Sequence, residues 1–272
     1  FSKINGSVIN AALSQAFFSL SLGMGILVTY GSYISKKQDI ADSSKLVALT
    51  DTGVAFIAGL MIMPAIFSFN PMVEPDKLNE SSLNLIFVLL PKIFLSLQMD
   101  IGYFGASAIA SLFFLLVFFA AITSLVSIIE VPNAAVMDGM KVSRKKSLTY
   151  LAILMVFLTV LTSMSFGMSD SLTNLTHYGE DLEKPKSLFD VIYDVFYDTI
   201  LPLNGLLICL FVISRWKMIN FKKELDEGLE KGKHGFLLRY SEIALKTYIP
   251  VILALVFLNT VAMKFFGYKL LF

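Results

Sequence analysis

The chain has 272 residues, of which 56% are hydrophobic and 16% are charged, and its formal net charge is +1. Soluble domains carry about 25% charged residues. Here the charges lie between long apolar runs, which indicates an integral membrane protein built from helices rather than a soluble one. The near-zero net charge and the lack of a basic stripe argue against a nucleic-acid partner.

Six apolar segments are long enough to cross a bilayer, which needs about 20 residues. They are residues 9–34, 46–69, 103–134, 147–168, 187–213 and 241–266. The third is longer than a bilayer requires, which predicts a tilt or an extension beyond the membrane. Residues 70–102, which include Pro91, are too interrupted to span and suit a re-entrant or surface helical hairpin.

The first span is unlike a plain membrane anchor. Its centre, residues 19–25, reads SLSLGMG and carries two serines and two glycines at the depth where leucines are expected. Glycine costs about 1 kcal/mol relative to alanine inside a helix, and freed backbone at membrane depth needs protein or a water-filled cavity around it. The segment predicts either a helix broken at a binding site or a small-residue packing face whose serines bond to their own helix.

The loops alternate in charge. Those after spans one, three and five carry fourteen Lys and Arg residues, whereas the other two carry four. The positive-inside rule then places the basic loops in the cytoplasm and both chain ends outside. An outside N-terminus without a signal peptide is explained by an odd number of preceding spans. We therefore expect the C-terminal part of a longer membrane protein.

Polar residues at membrane depth are functional candidates because ionisable groups there are costly. Asp51, at the start of span two, is either a helix cap or a ligand. Thr123 and Ser124 lie in the middle of span three, where hydroxyls often bond back to helix carbonyls. Three acids recur every fourth residue in span five and share one helical face, as an acidic rim or as gate partners for a cation: Asp190, Asp194 and Asp198.

The available ligands favour a hard monovalent cation. Oxygen is the ligand of hard cations, whereas zinc and copper prefer His and Cys. The two histidines, His177 and His234, both lie in loops, and the sequence has neither a phosphate-binding P-loop nor a nucleophile elbow. Glu130, about two turns beyond Thr123, is a candidate partner for a cation or for broken backbone. Nothing in this pattern indicates an enzyme.

Several motifs, in order, resemble the neurotransmitter:sodium symporter family. Residues 15–23, QAFFSLSLG, are similar to its unwound sixth helix, and residues 120–124, AAITS, to its eighth. The sequence LPKIF at 90–94 resembles the outer lid hairpin, whereas KQDI at 37–40 and KVSRK at 141–145 resemble its cytoplasmic loops. The chain looks most like the bacterial eleven-helix amino-acid transporters, with its spans as helices six to eleven and helices one to five absent.

This resemblance implies an all-α, polytopic membrane fold. Residues 1–240 correspond to the second inverted repeat of the LeuT-type fold, with a broken first span and a lid hairpin at 70–102. Residues 241–272 correspond to one additional transmembrane helix and the C-terminus.

The resemblance also implies roles for single residues at the substrate site. Phe18 closes over the substrate from outside, Ser21 bonds near its amine, and Met24 lines the side-chain pocket with Ile128. The substrate-binding positions implied in this way are Phe18, Ser21, Met24, Ser124 and Ile128, and Gln15 and Gly23 support the broken segment.

Two sodium sites and two gates follow from the same resemblance. Ser19 and Asp51 correspond to ligands of a sodium ion that touches the substrate carboxylate. The second sodium site corresponds to Ala120, Thr123 and Ser124. The cytoplasmic gate corresponds to Tyr33 and Asp138, and the outer gate acid to Asp194 or else Asp190.

Asp51 replaces an asparagine that is common in the family. A carboxylate at this position supplies the negative charge that chloride brings to other members, so we expect chloride independence.

Together these features predict a sodium-coupled symporter of the bacterial inner membrane that imports a hydrophobic or aromatic amino acid by alternating access. Two sodium ions and no chloride are expected. The alternatives are a non-transporting, receptor-like or regulatory protein of the same fold, and one half of a split transporter.

Overall fold

The computed structural model describes residues 6–35, 37–69, 85–179, 182, 184–226 and 235–268. Every regular element in these ranges is a helix, and one isolated antiparallel bridge joins Thr176 to Lys186. Five of the described helices are long and apolar enough to cross a membrane. The predicted all-α class and multi-pass membrane architecture are therefore confirmed.

The described part of the chain contains ten helices. They are α1 (Gly6–Ser19), α2 (Ile26–Gly31), α3 (Ile40–Phe69), α4 (Leu85–Leu89 continued by Leu90–Ser96), α5 (Gln98–Met140), α6 (Arg144–Met164), α7 (Asp170–Thr173), α8 (Leu188–Asp226), α9 (Gly235–Lys246) and α10 (Tyr248–Phe266). Helix α8 is a composite in which the π-helical stretches Tyr193–Ile200 and Val212–Trp216 alternate with α-helix. At Lys217 the backbone leaves helical geometry, with φ of 68°, before the last piece of α8, Lys217–Asp226.

Helix α5 is longer than the predicted third span. α5 covers 43 residues, Gln98–Met140, rather than 103–134. Gly102 has a φ of 74° and a ψ of 166°, so the first turn of α5 is separated from the rest by a kink. The helix that crosses the membrane therefore begins after Gly102, as predicted, but extends further at its far end.

The predicted start of the sixth span, residue 241, is wrong. The spanning helix α10 begins at Tyr248, and residues 241–246 belong to the separate helix α9. Thr247, between the two helices, has non-helical φ and ψ of −118° and −86°. Pro250 explains this break, because proline lacks an N–H and its ring clashes with the carbonyl four residues earlier.

The chain divides into two compact units, Phe1–Leu46 with Ile128–Phe272, and Val47–Ser127. In the second unit, α4 packs between parts of α3 and α5 through a buried cluster of Ile66, Leu90 and Ile93. Phe94 and Phe113 pack against this cluster, with ring centroids 5.5 Å apart. The first part of the predicted lid hairpin, residues 70–84, lies outside the described residues.

In the first unit, α8 packs along α10, and α1 lies against both. Gly205 of α8 makes this close packing possible, because a Cβ there would lie 2.6 Å from the ring of Phe17 in α1. Cys209 and Leu253 are buried in the same interface region. These contacts place the gap between α1 and α2 beside the middle of α8.

Candidate functional site

The helix of the first predicted span is interrupted at the place that the sequence indicates. α1 ends at Ser19 and α2 begins at Ile26. Within the intervening residues 20–25, which we call the broken segment, Ser21, Gly23 and Gly25 have positive φ values of 54°, 76° and 80°. A left-handed conformation costs an L-residue such as serine roughly 1–2 kcal/mol. Local strain of this kind is typical of functional sites.

Two side chains outside the broken segment hold its carbonyls. Asn204 of α8 donates from Nδ2 to the carbonyl of Gly23 at 3.2 Å. Thr29 donates to the carbonyl of Gly25 from both its hydroxyl, at 3.0 Å, and its backbone N–H, at 2.9 Å. Asn204 is not among the residues predicted from the sequence, although an amide within the apolar run LPLNGLLICLF is a detectable signal.

Gly23 has a steric reason to be glycine. A Cβ at this position would overlap the backbone carbonyl of Leu201 in α8, and its φ of 76° also disfavours any side chain. The broken segment can therefore lie directly against the α8 backbone, where Asn204 reaches it. The structure thus places the predicted supporting residue Gly23 at a close approach of two backbones.

Two cavities flank the broken segment. One of about 420 Å³ lies between α1, α2, α8 and α10, and its lining is almost entirely apolar and includes Phe17, Ser21 and Leu253. The other, of about 680 Å³, lies along α2 and α8 and is lined in part by Met24 and Asn204. Ser21 and Met24, both predicted to bind substrate, therefore line one cavity each.

Phe18 joins an aromatic column on α8. Its ring centroid lies 4.7 Å from that of Tyr197, which stacks on Tyr193 at 4.4 Å. This contact ties the end of α1 to the first π-helical stretch of α8. Of the other residues that the resemblance assigns to the substrate site, Gln15 and Ile128 are exposed in the first unit.

Asp194, the predicted outer gate acid, is only 2% exposed and is bonded through both carboxylate oxygens. Lys186 and the hydroxyl of Tyr178 each donate to Oδ2 at 3.0 Å, and Lys264 donates to Oδ1 at 3.0 Å. Lys264 also lies 2.7 Å from Asp198. Burial of the phenol, followed by the adjacent Asp194 carboxylate, raises the pKa of Tyr178 well above its usual range, so that it remains a donor.

This cluster joins the loop before α8 to α8 itself and to the end of α10. Its acids are predicted from the sequence as functional candidates, but Lys264, their partner, is not. The detectable signal is that Lys264 is the one charged residue in the apolar helix α10.

Asp190, the alternative gate acid, forms the start of α8. Its Oδ2 accepts from the backbone N–H of Ser187 at 2.9 Å and from the Ser187 hydroxyl at 2.7 Å. The Asp190 N–H donates in return to Ser187 Oγ at 3.2 Å. This reciprocal capping box satisfies donors that a helix start otherwise leaves unpaired.

A second polar network surrounds Glu130, on the side that we predict to be cytoplasmic. Arg144 donates from both terminal nitrogens to the two Glu130 oxygens, at 3.0 and 2.7 Å. Tyr33 donates its hydroxyl to the same carboxylate at 2.9 Å, and Asn133 its amide at 3.4 Å. The fully buried Ser147 of α6 donates to the Asn133 carbonyl at 3.2 Å. Glu130 thus links the end of the broken helix, α5 and α6.

Tyr33 and Asp138 are the two residues that the resemblance assigns to the cytoplasmic gate. In the structure the Tyr33 hydroxyl donates to Glu130, and Asp138 is exposed near the end of α5. The prediction of Glu130 as a partner for a cation agrees with its bidentate pairing to the Arg144 guanidinium.

The proposed sodium ligands are distributed over both compact units. Ser19 belongs to the first unit, and Asp51, half-buried in α3, belongs to the second. Thr123 donates its hydroxyl to the Phe119 and Ala120 carbonyls, at 3.1 and 2.9 Å, as the alternative of back-bonding to the helix predicts. A hydroxyl that donates in this way keeps lone pairs for a cation. Ala120, Thr123 and Ser124 lie on an exposed stretch of α5.

Comparison with known proteins matches residues 1–265 to the sodium:neurotransmitter symporter family. An uncharacterized sodium-dependent transporter of Bacillus subtilis, YhdH, is 32% identical over 267 residues, which are 98% of this chain and 54% of that protein. Another, from Haemophilus influenzae, is 29% identical over 260 residues, which are 95% of this chain and 51% of that protein. The chain therefore spans about half the length of these curated relatives.

A solved structure gives the same result for the fold. The crystal structure of MhsT in complex with L-phenylalanine superimposes with a TM-score of 0.73 at 35% identity. The match covers 93% of this chain and 52% of the MhsT chain.

Proposed function

The chain belongs to the sodium:neurotransmitter symporter family, and from this premise we propose that the protein couples sodium entry to the uptake of a hydrophobic or aromatic amino acid by alternating access. The observation that carries the proposal is the broken segment, with strained backbone, held carbonyls and an apolar cavity on each side. Half-helix ends and unwound carbonyls at membrane depth are how transporters bind ions and charged substrate groups.

The substrate class is inferred from the cavity lining and from one relative. The residues around the broken segment that line the cavities are mostly apolar, with Ser21 and Asn204 as polar exceptions. MhsT, to which the chain is 35% identical, was crystallised with L-phenylalanine. A substrate whose side chain is aromatic or aliphatic and whose amine bonds near Ser21 fits this lining.

Sodium would bind at two sites. The family resemblance assigns Ser19 and Asp51 to the first, and Ala120, Thr123 and Ser124 to the second. Sodium shifts the conformational equilibrium only by binding one state more tightly than the other. Two charges moved through 100 mV release about 4.6 kcal/mol, which supports a concentration ratio on the order of 10³.

Two networks are suited to gating. The Glu130 network joins Tyr33 to α5 and α6 with Asp138 nearby in sequence, and the Asp194 cluster joins α8 to α10. Opening the transporter to either side of the membrane requires some of these charged hydrogen bonds to break and their groups to find other partners. We place the protein in the bacterial inner membrane, with the Glu130 network on the cytoplasmic side.

Uptake into proteoliposomes tests the proposal. We expect the full-length protein to accumulate radiolabelled phenylalanine or leucine when sodium is outside, and not when potassium replaces it. Ser124→Ala should raise the sodium concentration for half-maximal uptake roughly tenfold, because a lost ligand of a charged group costs about 1.5 kcal/mol.

Ser214→Ala is the matched control, since it removes an exposed serine hydroxyl that donates to the Leu210 carbonyl of its own helix, α8, and is not part of the proposed site. Uptake that ignores the sodium gradient would contradict the symporter. Sodium binding without uptake of any apolar amino acid would instead favour a receptor-like protein. Equal sodium dependence of uptake in the two variants would show that Ser124 is not a ligand of the second sodium site.

A further inference from the structure

Helix α9 (Gly235–Lys246) exposes the residues that a soluble protein would bury. Its exposed positions recur every three or four residues and so share one face: Phe236, Arg239, Tyr240, Ile243 and Lys246. Phe236 is 85% exposed, Tyr240 53% and Ile243 52%. The rings of Phe236 and Tyr240 are stacked, with centroids 6.4 Å apart. This exposed face is apolar, with two cationic side chains beside it.

The two flanks of α9 contact the protein. Ala244 is buried on one flank, and on the other Glu242 pairs with Lys222 in the last piece of α8. Lys246 also bonds to Glu242, at 2.7 Å. Rolling the helix to turn its apolar face inward would expose Ala244 and break the pair between Glu242 and Lys222. In this structure the apolar face is the one that points away from the protein.

The exposed face adjoins the surface of a membrane helix. α10 begins at Tyr248, directly after the break at Thr247, and Tyr248 donates its hydroxyl to that of Tyr240 at 2.6 Å. α10 exposes Val251 and Leu255, as expected of a helix in contact with lipid. Tyrosines are enriched at the boundary between acyl chains and headgroups. The apolar face of α9 thus starts at the membrane boundary and continues the lipid-facing surface.

We propose that α9 lies in the membrane interface and binds anionic lipid. Phe236, Tyr240 and Ile243 insert at the level where the acyl chains begin, and Arg239 contacts the headgroup phosphates. Lys246 shares Glu242 with Lys222, so these three side chains together keep one net positive charge near the headgroups. Amphipathic helices with aromatic and aliphatic residues on one face and basic residues beside it bind membranes in this way. A lipid occupant is favoured over a protein partner by the continuity with α10 and by the two cations. The inference requires a membrane protein but not the transport activity.

Fluorescence quenching tests the position of this face. The full-length protein, with its native cysteines replaced by serine, carries the single substitution Ile243→Cys labelled with the dye NBD. It is placed in nanodiscs of phosphatidylcholine, with or without phosphatidylglycerol. We expect blue-shifted emission and roughly twofold quenching by lipids with a nitroxide near the headgroup end of the chain, as insertion to a depth of 5–10 Å predicts. Ser241→Cys, on the opposite face of the same helix, should give much weaker lipid quenching.

Charge removal tests the headgroup contacts. Arg239→Gln and Lys246→Gln should each reduce, by roughly fivefold, the difference in blue shift between nanodiscs with and without phosphatidylglycerol. The attraction of one basic residue to an anionic membrane surface corresponds to about this factor. Lys223→Gln is the matched control, an exposed lysine of the last piece of α8 on the same side of the protein.

Three results would overturn the proposal. Quenching of the residue 243 label by aqueous iodide would place the face in water. Protection from both iodide and lipid nitroxides would place it under another segment of the protein or a second protein. Lipid quenching that is insensitive to phosphatidylglycerol and to the charge variants would show that the face contacts lipid without binding anionic headgroups. Failure of amino-acid uptake would bear only on the proposed function.

Discussion

At the scale of single residues, the broken segment depends on what a side chain would displace. Gly23 has a φ of 76°, and any Cβ there would overlap the carbonyl of Leu201. Asn204 then reaches the Gly23 carbonyl at 3.2 Å. The contact with α8 therefore requires glycine at position 23, in addition to the need to end α1.

We predict that Gly23→Ala destabilises the protein by at least the roughly 1–2 kcal/mol of a left-handed L-residue, because the overlap with α8 adds to that cost. Thermal unfolding of the purified full-length protein should shift down, and sodium-driven uptake should fall with it. Gly31→Ala is the control, since a Cβ there meets no atom of the described residues within 4 Å. If both variants melted and transported alike, the close approach to α8 would not constrain the segment.

At the scale of elements, Glu130 fastens α5 to α6. The carboxylate is 7% exposed, whereas the Arg144 side chain is 58% exposed. Pairs between exposed charges are worth little, but removing one partner of a buried charge is costly. The Glu130–Arg144 pair is bidentate, and the Tyr33 hydroxyl also donates to Glu130. We therefore expect the free energy that this pair contributes to lie between these two cases.

A double-mutant cycle with Glu130→Gln and Arg144→Gln should therefore give a coupling of about 1 kcal/mol in the free energy of unfolding. The exposed pair Asp42 and Lys45, 3.2 Å apart, is the control and should give about 0–0.5 kcal/mol. Denaturant unfolding in one detergent would measure both cycles. A Glu130 cycle no larger than the control would mean that Arg144 does not stabilise the link.

At the scale of the whole molecule, the charge of Asp51 bears on which ions the protein needs. In the proposed first sodium site, the negative charge of the Asp51 carboxylate balances the positive charge of the sodium ion. No chloride ion is then needed to balance it. We predict that uptake by the full-length protein is unchanged when gluconate replaces chloride, and that Asp51→Asn introduces a chloride requirement. Uptake by the Asp51→Asn variant that remains active without chloride would refute the compensation.

Composition and local sequence pattern are sufficient to predict the membrane class, the all-α fold and the position of the broken segment. Hydropathy depends on composition over about 20 residues, and the effects of Ser, Gly and Pro on helix geometry are local. The start of the last span was missed although its cause is also local. Pro250 lies within an apolar run, so hydropathy extended the span to residue 241, while the break at Thr247 separates α9.

Which polar groups pair depends on how the helices pack. Tyr33 meets Glu130 across 97 residues of sequence, Lys264 meets Asp194 across 70, and Asn204 meets Gly23 across 181. A sequence pattern identifies a costly polar group at membrane depth, but it does not say which distant segment satisfies that group. That choice is made when helices pack, because a buried donor or acceptor must find its partner among the groups that packing brings within about 3 Å.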